Sequence, residues 1–148
     1  LGRDARDVPA GQTRDYIFGY TILNDVSARD VQTAHKQWYF GKSLDGFTPI
    51  GPCIVTADAF ADYPPRLGIR SFVNGEKRQD SNTALQIFDI DHVIAELSQG
   101  MTLKAGTIIA TGTPAGVGMG MDPPQFLKPG DVVRCEIDGI GTLTNPVK

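Results

Sequence analysis

The chain has 148 residues, 41% apolar and 21% charged, enough to build one compact core and too apolar for a disordered tail. Its 14 Lys and Arg are outnumbered by 17 Asp and Glu, a formal net charge of −3, which argues against a nucleic-acid binder held by phosphate contacts. No apolar run reaches the ~18 residues of a membrane span and no signal-peptide core opens the chain, so the expected location is the cytoplasm.

Seventeen glycines and ten prolines exceed ordinary usage of roughly 12% for the two together, and predict many turns and short strands. The opening Leu1-Gly2-Arg3-Asp4 has no leading Met and leads into a loop-like stretch, so the chain reads as the remainder of a longer protein. Residues 16–23 form an apolar, aromatic and β-branched run of strand length that stops at Asn24-Asp25. Ser27 and Asp30 then make a capping-box variant, predicting a short helix over about 28–36 whose positive end faces the end of that strand. Residues 38–52 read as a loop and 53–56 as a short strand. A hairpin follows, with 67–73 and 76–79 joined by Asn74-Gly75, the pair that tolerates the positive φ of a type I′ turn. Residues 91–99 predict a helix with Val93, Ile94 and Leu97 on one face and Gly100 at its end. Residues 107–111 read as a buried strand running into a glycine-rich loop. Pro129-Gly130 and Asp138-Gly139 introduce the last two strands, 131–137 and 141–147. Two helices among seven or so strands predict a single mainly-β or α+β domain spanning 1–148. Cys53 and Cys135 form no CxxC pair and are expected as free, buried thiols of a reducing compartment.

Several familiar sites are excluded by spacing. Gly41-Lys42-Ser43 resembles the end of a phosphate-binding loop, but the position that needs the first glycine holds Lys36. The run 116–121 fails the dinucleotide fingerprint, because its last glycine would fall on Met121. His35 and His92 stand 57 residues apart with no carboxylate or Cys at ligand spacing; each reads as a helix-surface imidazole and not as a zinc ligand. No Gly-x-Ser-x-Gly elbow is present. What remains is a set of polar residues at the ends of apolar runs, Asp25, Gln32, Lys42 and Thr113. Taken singly, each is equally a strand-end cap, a solvated loop amine or a turn residue.

Longer motifs group these four. Gly19-Tyr-Thr-Ile-Leu-Asn-Asp-Val-Ser-Ala-Arg-Asp-Val-Gln32 closely resembles the G-x-x-x-x-N-D-x-S-A-R-D-x-Q segment of the fumarylacetoacetate hydrolase family. Gly41-Lys-Ser-Leu-Asp-Gly-Phe-Thr-Pro-Ile-Gly-Pro52 is similar to that family's next loop. Val73-Asn-Gly-Glu76 with Arg78-Gln79, then Ala110-Thr-Gly-Thr-Pro-Ala-Gly-Val-Gly118, Lys128-Pro-Gly-Asp131 and Ile140-Gly141 complete the pattern in order.

The resemblance implies a mixed β-sandwich roll, commonly dimeric, so a homodimer is expected. It implies dependence on Mg²⁺ or Mn²⁺ and action on a small 2-oxo or 1,3-dioxo acid, of the kind met in aromatic-compound catabolism. The leading expectation is a hydrolase or lyase that cleaves a C–C bond in an acylpyruvate or fumarylacetoacetate. The alternatives are an oxaloacetate decarboxylase, a 2-hydroxyhepta-2,4-diene-1,7-dioate isomerase or hydratase, or a non-catalytic relative. By position, Asp25 matches the family's aspartate metal ligand. Gln32 and Lys42 match residues that hold the substrate's oxygens, with Lys42 the catalytic one, and Thr113 matches the threonine near the substrate's carboxylate. One departure stands out: the family's Glu-x-Glu metal pair does not occur in the chain and is expected upstream of Leu1, as is the His-Glu dyad of hydrolytic members.

The residues suit that chemistry. A hard divalent ion takes oxygen ligands, a 2-oxo acid chelates it, and the ion stabilises the enolate formed when a neighbouring bond breaks. A lysine ammonium beside the same oxygens adds positive charge where negative charge develops.

Overall fold

The computed structural model describes residues 1–34 and 36–148; His35 lies outside them. Among these residues the chain forms six strands and two helices. In order they are β1 (Gly19–Leu23), α1 (Arg29–Ala34), β2 (Ile50–Thr56), β3 (Gly68–Val73), β4 (Glu76–Asn82), α2 (Ile90–Ser98), β5 (Val132–Ile137) and β6 (Gly141–Pro146). Single 3₁₀ turns fill several connections, including Thr13–Tyr16 and Phe40–Lys42. The architecture is mainly β, as the sequence predicts.

β1 and β2 make a two-stranded antiparallel sheet; the other four strands make an antiparallel sheet in the order β4-β3-β5-β6. The sheets meet where β1 lies against β5 and β2 against β6. Asn74 and Gly75 both take positive φ, 52° and 84°, and close the β3–β4 hairpin with Val73 opposite Glu76. That is the I′ geometry the Asn-Gly pair favours, because its twist matches that of the flanking strands.

The fully buried apolar residues are few: Ala5, Val8, Ile22, Ile94, Ala95, Leu103, Val133 and Ile140. Exposed surface is 9332 Å², against roughly 7,400 Å² for a compact protein of this mass. Polar bonds among buried groups add to this small core. Their hub is Thr13, which is completely buried. The Thr13 hydroxyl donates to Asp91 Oδ1 at 2.6 Å and lies in a very short hydrogen bond with the Tyr63 hydroxyl, while Asp91 Oδ2 accepts from the Gly11 amide at 2.6 Å. At the other end of α2, the Ser98 hydroxyl accepts from the Val8 amide at 3.0 Å. Burial pushes the Asp91 carboxyl up, but the bonds from Thr13 and Gly11 outweigh it and hold it below the ordinary value.

Four expectations need correction. Residues 107–111 alternate in exposure but form no strand; the segment's bonds are Thr107 O accepting from the Leu1 ammonium and the Thr107 amide donating to Lys104 O. A strand needs a ladder partner, and none lies beside 107–111 among the described residues. The buried stripe of α2 is Ile94, Ala95 and Ser98, while Leu97 is exposed, because the helix turns the side carrying Asp91 and Ser98 toward residues 7–13. Cys53 is exposed and Cys135 half-buried, both free, since the β2 face bearing Cys53 is uncovered. Ser27 does not cap α1; its hydroxyl accepts from Lys42 instead. His92 is exposed, stacked on Phe88 with ring centroids 4.8 Å apart. No helix among the described residues is long and apolar enough to cross a membrane.

Thr13→Val keeps the shape of the side chain but leaves Asp91 and Tyr63 without their shared hydroxyl. It is expected to lower stability by about 1–3 kcal/mol, read as a lower urea midpoint at unchanged slope; a midpoint equal to that of the parent protein would contradict the hub role. The depressed Asp91 carboxyl contributes stability above its unfolded pKa, and that share is lost as pH falls through the folded value.

Candidate functional site

A cleft of about 1940 Å³ opens between the two sheets. Its floor is the face of the larger sheet carrying Ser71, Val73, Val133 and Cys135. One wall is the end of β1 and the start of α1, with Asp25, Ser27 and Arg29; the other is the glycine-rich loop with Thr113. Burial raises the Cys135 thiol above its usual range, so it stays protonated at neutral pH.

On the first wall, backbone bonds from Asn24 to Pro49 O and from Val26 to Phe47 O, 3.0 and 3.1 Å, clamp the strand end to the following loop. The Ala28 amide donates to Gly41 O at 2.8 Å. Gly41 is buried against α1 so closely that a Cβ there would sit 2.8 Å from Ala28 O and 2.9 Å from Gln32 Cβ. Only glycine allows that approach, and it is what sets the next residue: Lys42 Nζ donates to Asp25 Oδ2 at 2.6 Å and to Ser27 Oγ at 2.9 Å. The Lys42 side chain keeps 29% of its exposure. An ammonium has three N–H groups; among the described residues the third has no partner.

On the opposite wall, the Gln79 amide donates from Nε2 to Thr113 Oγ1 and to Pro114 O, each at 2.8 Å, and accepts at Oε1 from Ser71 Oγ at 2.8 Å. Gly116 packs against β4 at φ 107°, with an added Cβ meeting Gln79 Cγ at 3.1 Å.

Three of the four predicted site residues, Asp25, Lys42 and Thr113, thus line one cleft. Gln32 does not: its side chain is 2% exposed and its Oε1 accepts from Arg29 Nη1 at 2.5 Å, beneath Gly41. In this structure Gln32 supports the cleft wall and places Arg29, which does face the cleft. Arg29, Arg78 and Gln79 were not singled out by the sequence, although Arg78-Gln79 lies within the hairpin motif.

As for a metal, no three His, Cys, Asp or Glu side chains converge among the described residues. Asp25 is one carboxylate, already paired with an ammonium. Such a donor set does not hold a divalent ion by itself, since Mg²⁺ gives up its waters reluctantly.

Comparison with known proteins adds to this geometry. A family model described as fumarylacetoacetate (FAA) hydrolase C-terminal matches residues 1–148. The oxaloacetate tautomerase YisK of Bacillus subtilis is 48% identical over 147 residues, 99% of this chain and 48% of that protein. A fumarylacetoacetate hydrolase structure from Exiguobacterium antarcticum superposes with a TM-score of 0.96 at 51% identity, covering 100% of this chain and 53% of that one. A 2-hydroxyhepta-2,4-diene-1,7-dioate isomerase structure from Mycobacterium marinum gives 0.87 at 47% identity, covering 99% and 54%. The chain spans about half the length of the curated relatives it matches.

Gly41→Ala forces backbone apart where the loop meets α1. It is expected to reduce stability by about 1–3 kcal/mol, measured by denaturant unfolding, and an unchanged stability would show that Lys42 is not seated by this contact. Titration of these 148 residues with Mg²⁺ is expected to give no saturable heat; tight stoichiometric binding would show that Asp30 or Asp45 completes a site.

Proposed function

Because the chain belongs to the fumarylacetoacetate hydrolase family, whose members are enzymes and generally use a divalent metal, we propose that the protein it forms interconverts keto and enol forms of a small 2-oxo dicarboxylic acid. The ion would be Mg²⁺ or Mn²⁺, with Asp25 as one ligand among others not found among the described residues. The observation that carries this reading is Lys42, held by Asp25 and Ser27 with its third N–H unpartnered in a cleft that also presents the Thr113 hydroxyl.

A 2-oxo acid loses a proton from the carbon next to its ketone when the resulting enolate oxygen is stabilised. Lys42 supplies a charge-assisted donor for that oxygen, stronger than a neutral one, and can hand it the proton that completes the enol, while water in the open cleft takes the proton lost from carbon and recharges the amine. Thr113 donates to a carboxylate of the same acid from the opposite wall. A bound divalent ion would add Lewis-acid stabilisation of the same oxygen, and the donors from Lys42 and Thr113 are in place before substrate enters.

The relatives named as oxaloacetate tautomerase and dioate isomerase support enol chemistry. Hydrolytic C–C cleavage is the second reading, supported by the likeness to the fumarylacetoacetate hydrolase structure. It needs a base to activate water, and no histidine lines the cleft among the described residues.

The assay follows the decay of enol-oxaloacetate absorbance in the protein containing this chain, with Mg²⁺ or Mn²⁺ and an EDTA control. Turnover is expected, with Lys42→Met lowering kcat/KM by about 10²–10³-fold at an unchanged melting temperature. Activity on simple esters alone, or full activity in Lys42→Met, would overturn the proposal; cleavage of an acylpyruvate without tautomerisation would favour the hydrolytic reading.

A further inference from the structure

We propose that Gln79 is a positioning residue that fixes the polarity of the Thr113 hydroxyl, making it an obligate hydrogen-bond donor to the anionic end of the substrate. The inference rests on the reading of Thr113 as a substrate-binding residue and assigns the group that makes it one.

The logic is one of donors and acceptors. Pro114 O can only accept, so the Gln79 atom 2.8 Å from it is Nε2 and the amide can take no other orientation. The same Nε2 lies 2.8 Å from Thr113 Oγ1, and there the hydroxyl oxygen must accept. A hydroxyl that has accepted still has one proton to give, and no acceptor for it is found among the described residues. Ser71 Oγ, donating to Oε1 at 2.8 Å, holds the far side of the amide, so rotation of Gln79 would break three bonds at once.

Strand geometry explains why a glutamine on β4 reaches this loop. Ser71 pairs with Gln79, but Phe72 pairs with Lys77, which leaves Arg78 as an extra residue without a partner on β3. Such a bulge breaks the alternation of faces and re-aims a side chain. Consecutive residues Arg78 and Gln79 accordingly both line the cleft.

The chemical need is specific. A substrate carboxylate accepts and never donates, so a threonine whose proton pointed into the protein would meet it with lone pairs. Gln79→Glu produces that reversal with little change in shape. An ionised carboxylate cannot donate; it would accept from Thr113 and from Ser71, and it would place a negative charge behind the hydroxyl. Protonation restores one donor.

The test measures kcat and KM for oxaloacetate as a function of pH, with melting temperature, for the parent protein, Thr113→Ala, Gln79→Glu and Ser71→Ala. At neutral pH, Gln79→Glu is expected to raise KM by about 10–100-fold, with a smaller effect on kcat. The loss should shrink as pH falls toward the ordinary glutamate range near pH 4.3, while the parent shows no matching trend. Ser71→Ala, which removes the bond at Oε1 and lets the amide tilt from Thr113 without adding charge, should raise KM in the same direction and serves if Gln79→Glu does not fold. If Thr113→Ala raises KM and both neighbours match the parent at every pH, the positioning role is refuted and the reading of Thr113 stands. If Thr113→Ala itself matches the parent, that reading fails and the inference with it. A Gln79→Glu variant that loses activity equally at every pH, with a lowered melting temperature, would mark Gln79 as merely structural and overturn the proposal.

Discussion

At Arg78 the β4 strand carries one residue more than β3 can pair, and the alternation of side-chain faces along β4 resets there. Upstream of that point the hairpin is regular from its Asn74-Gly75 turn; beyond it, Gln79 stands over Ser71 instead of over Arg70. Without the extra residue, Gln79 would lie on the other face of the sheet from Ser71, and Arg78, which carries no acceptor for the Ser71 hydroxyl, would stand over Ser71 in its place. The loop bearing Thr113 is long, glycine-rich and without regular structure. Side-chain bonds to it from β4 and the close packing of Gly116 on Arg78 and Gln79 are what give it one conformation. A backbone irregularity thus substitutes for the ladder that the loop lacks.

The opposite wall is held by a different device. There the determining contact is steric: Gly41 comes so close to Ala28 and Gln32 that no side chain fits. Lys42 follows directly, and its ammonium has nowhere to go but to Asp25 and Ser27. The two walls belong to different sheets, so their separation depends on the small apolar seam where Ile22 of β1 and Val133 of β5 are buried. A seam of so few side chains makes the cleft sensitive to single core substitutions, each of which costs about 2–5 kcal/mol when a large aliphatic residue becomes Ala.

How much of this was readable in advance varies with the kind of physics involved. The type I′ turn, the mainly-β character and the helix expected over 91–99 and found at Ile90–Ser98 follow from local preferences, which the sequence displays openly. Asp25, Lys42 and Thr113 were singled out through motif resemblance, and the fold brings them to one cleft; spacing alone left each of them ambiguous. The bulge was not legible, because the two-residue turn predicts a register that places Gln79 opposite Arg70, and no residue type near 78 announces an insertion. Nor was the state of residues 107–111, whose short apolar run suits a buried strand but whose pairing depends on a partner that periodicity cannot identify. Gln32 shows a third limit: a polar residue in a motif looks like a ligand-binding group, yet here its amide is buried and spent on Arg29.

The electrostatics of the cleft make geometry the source of its selectivity. Three of its cations are compensated, Lys42 by Asp25, Arg78 by Glu76 at 3.2 Å, and Arg70 by Glu136 and Asp138, whereas Arg29 meets only the neutral amide oxygen of Gln32 among the described residues. With these pairs and a net charge of −3, the chain offers little broad positive field to draw in anions. What it offers instead is a small number of directed donors, an ammonium N–H on one wall and a hydroxyl on the other, each held by neighbours that leave it a single free direction. For the dicarboxylic acid proposed above, discrimination would rest on whether its two acceptor groups are spaced to meet both walls. Specificity of this kind would be set by the rigidity of the walls, which depends on the bulge at Arg78 and the close contact at Gly41.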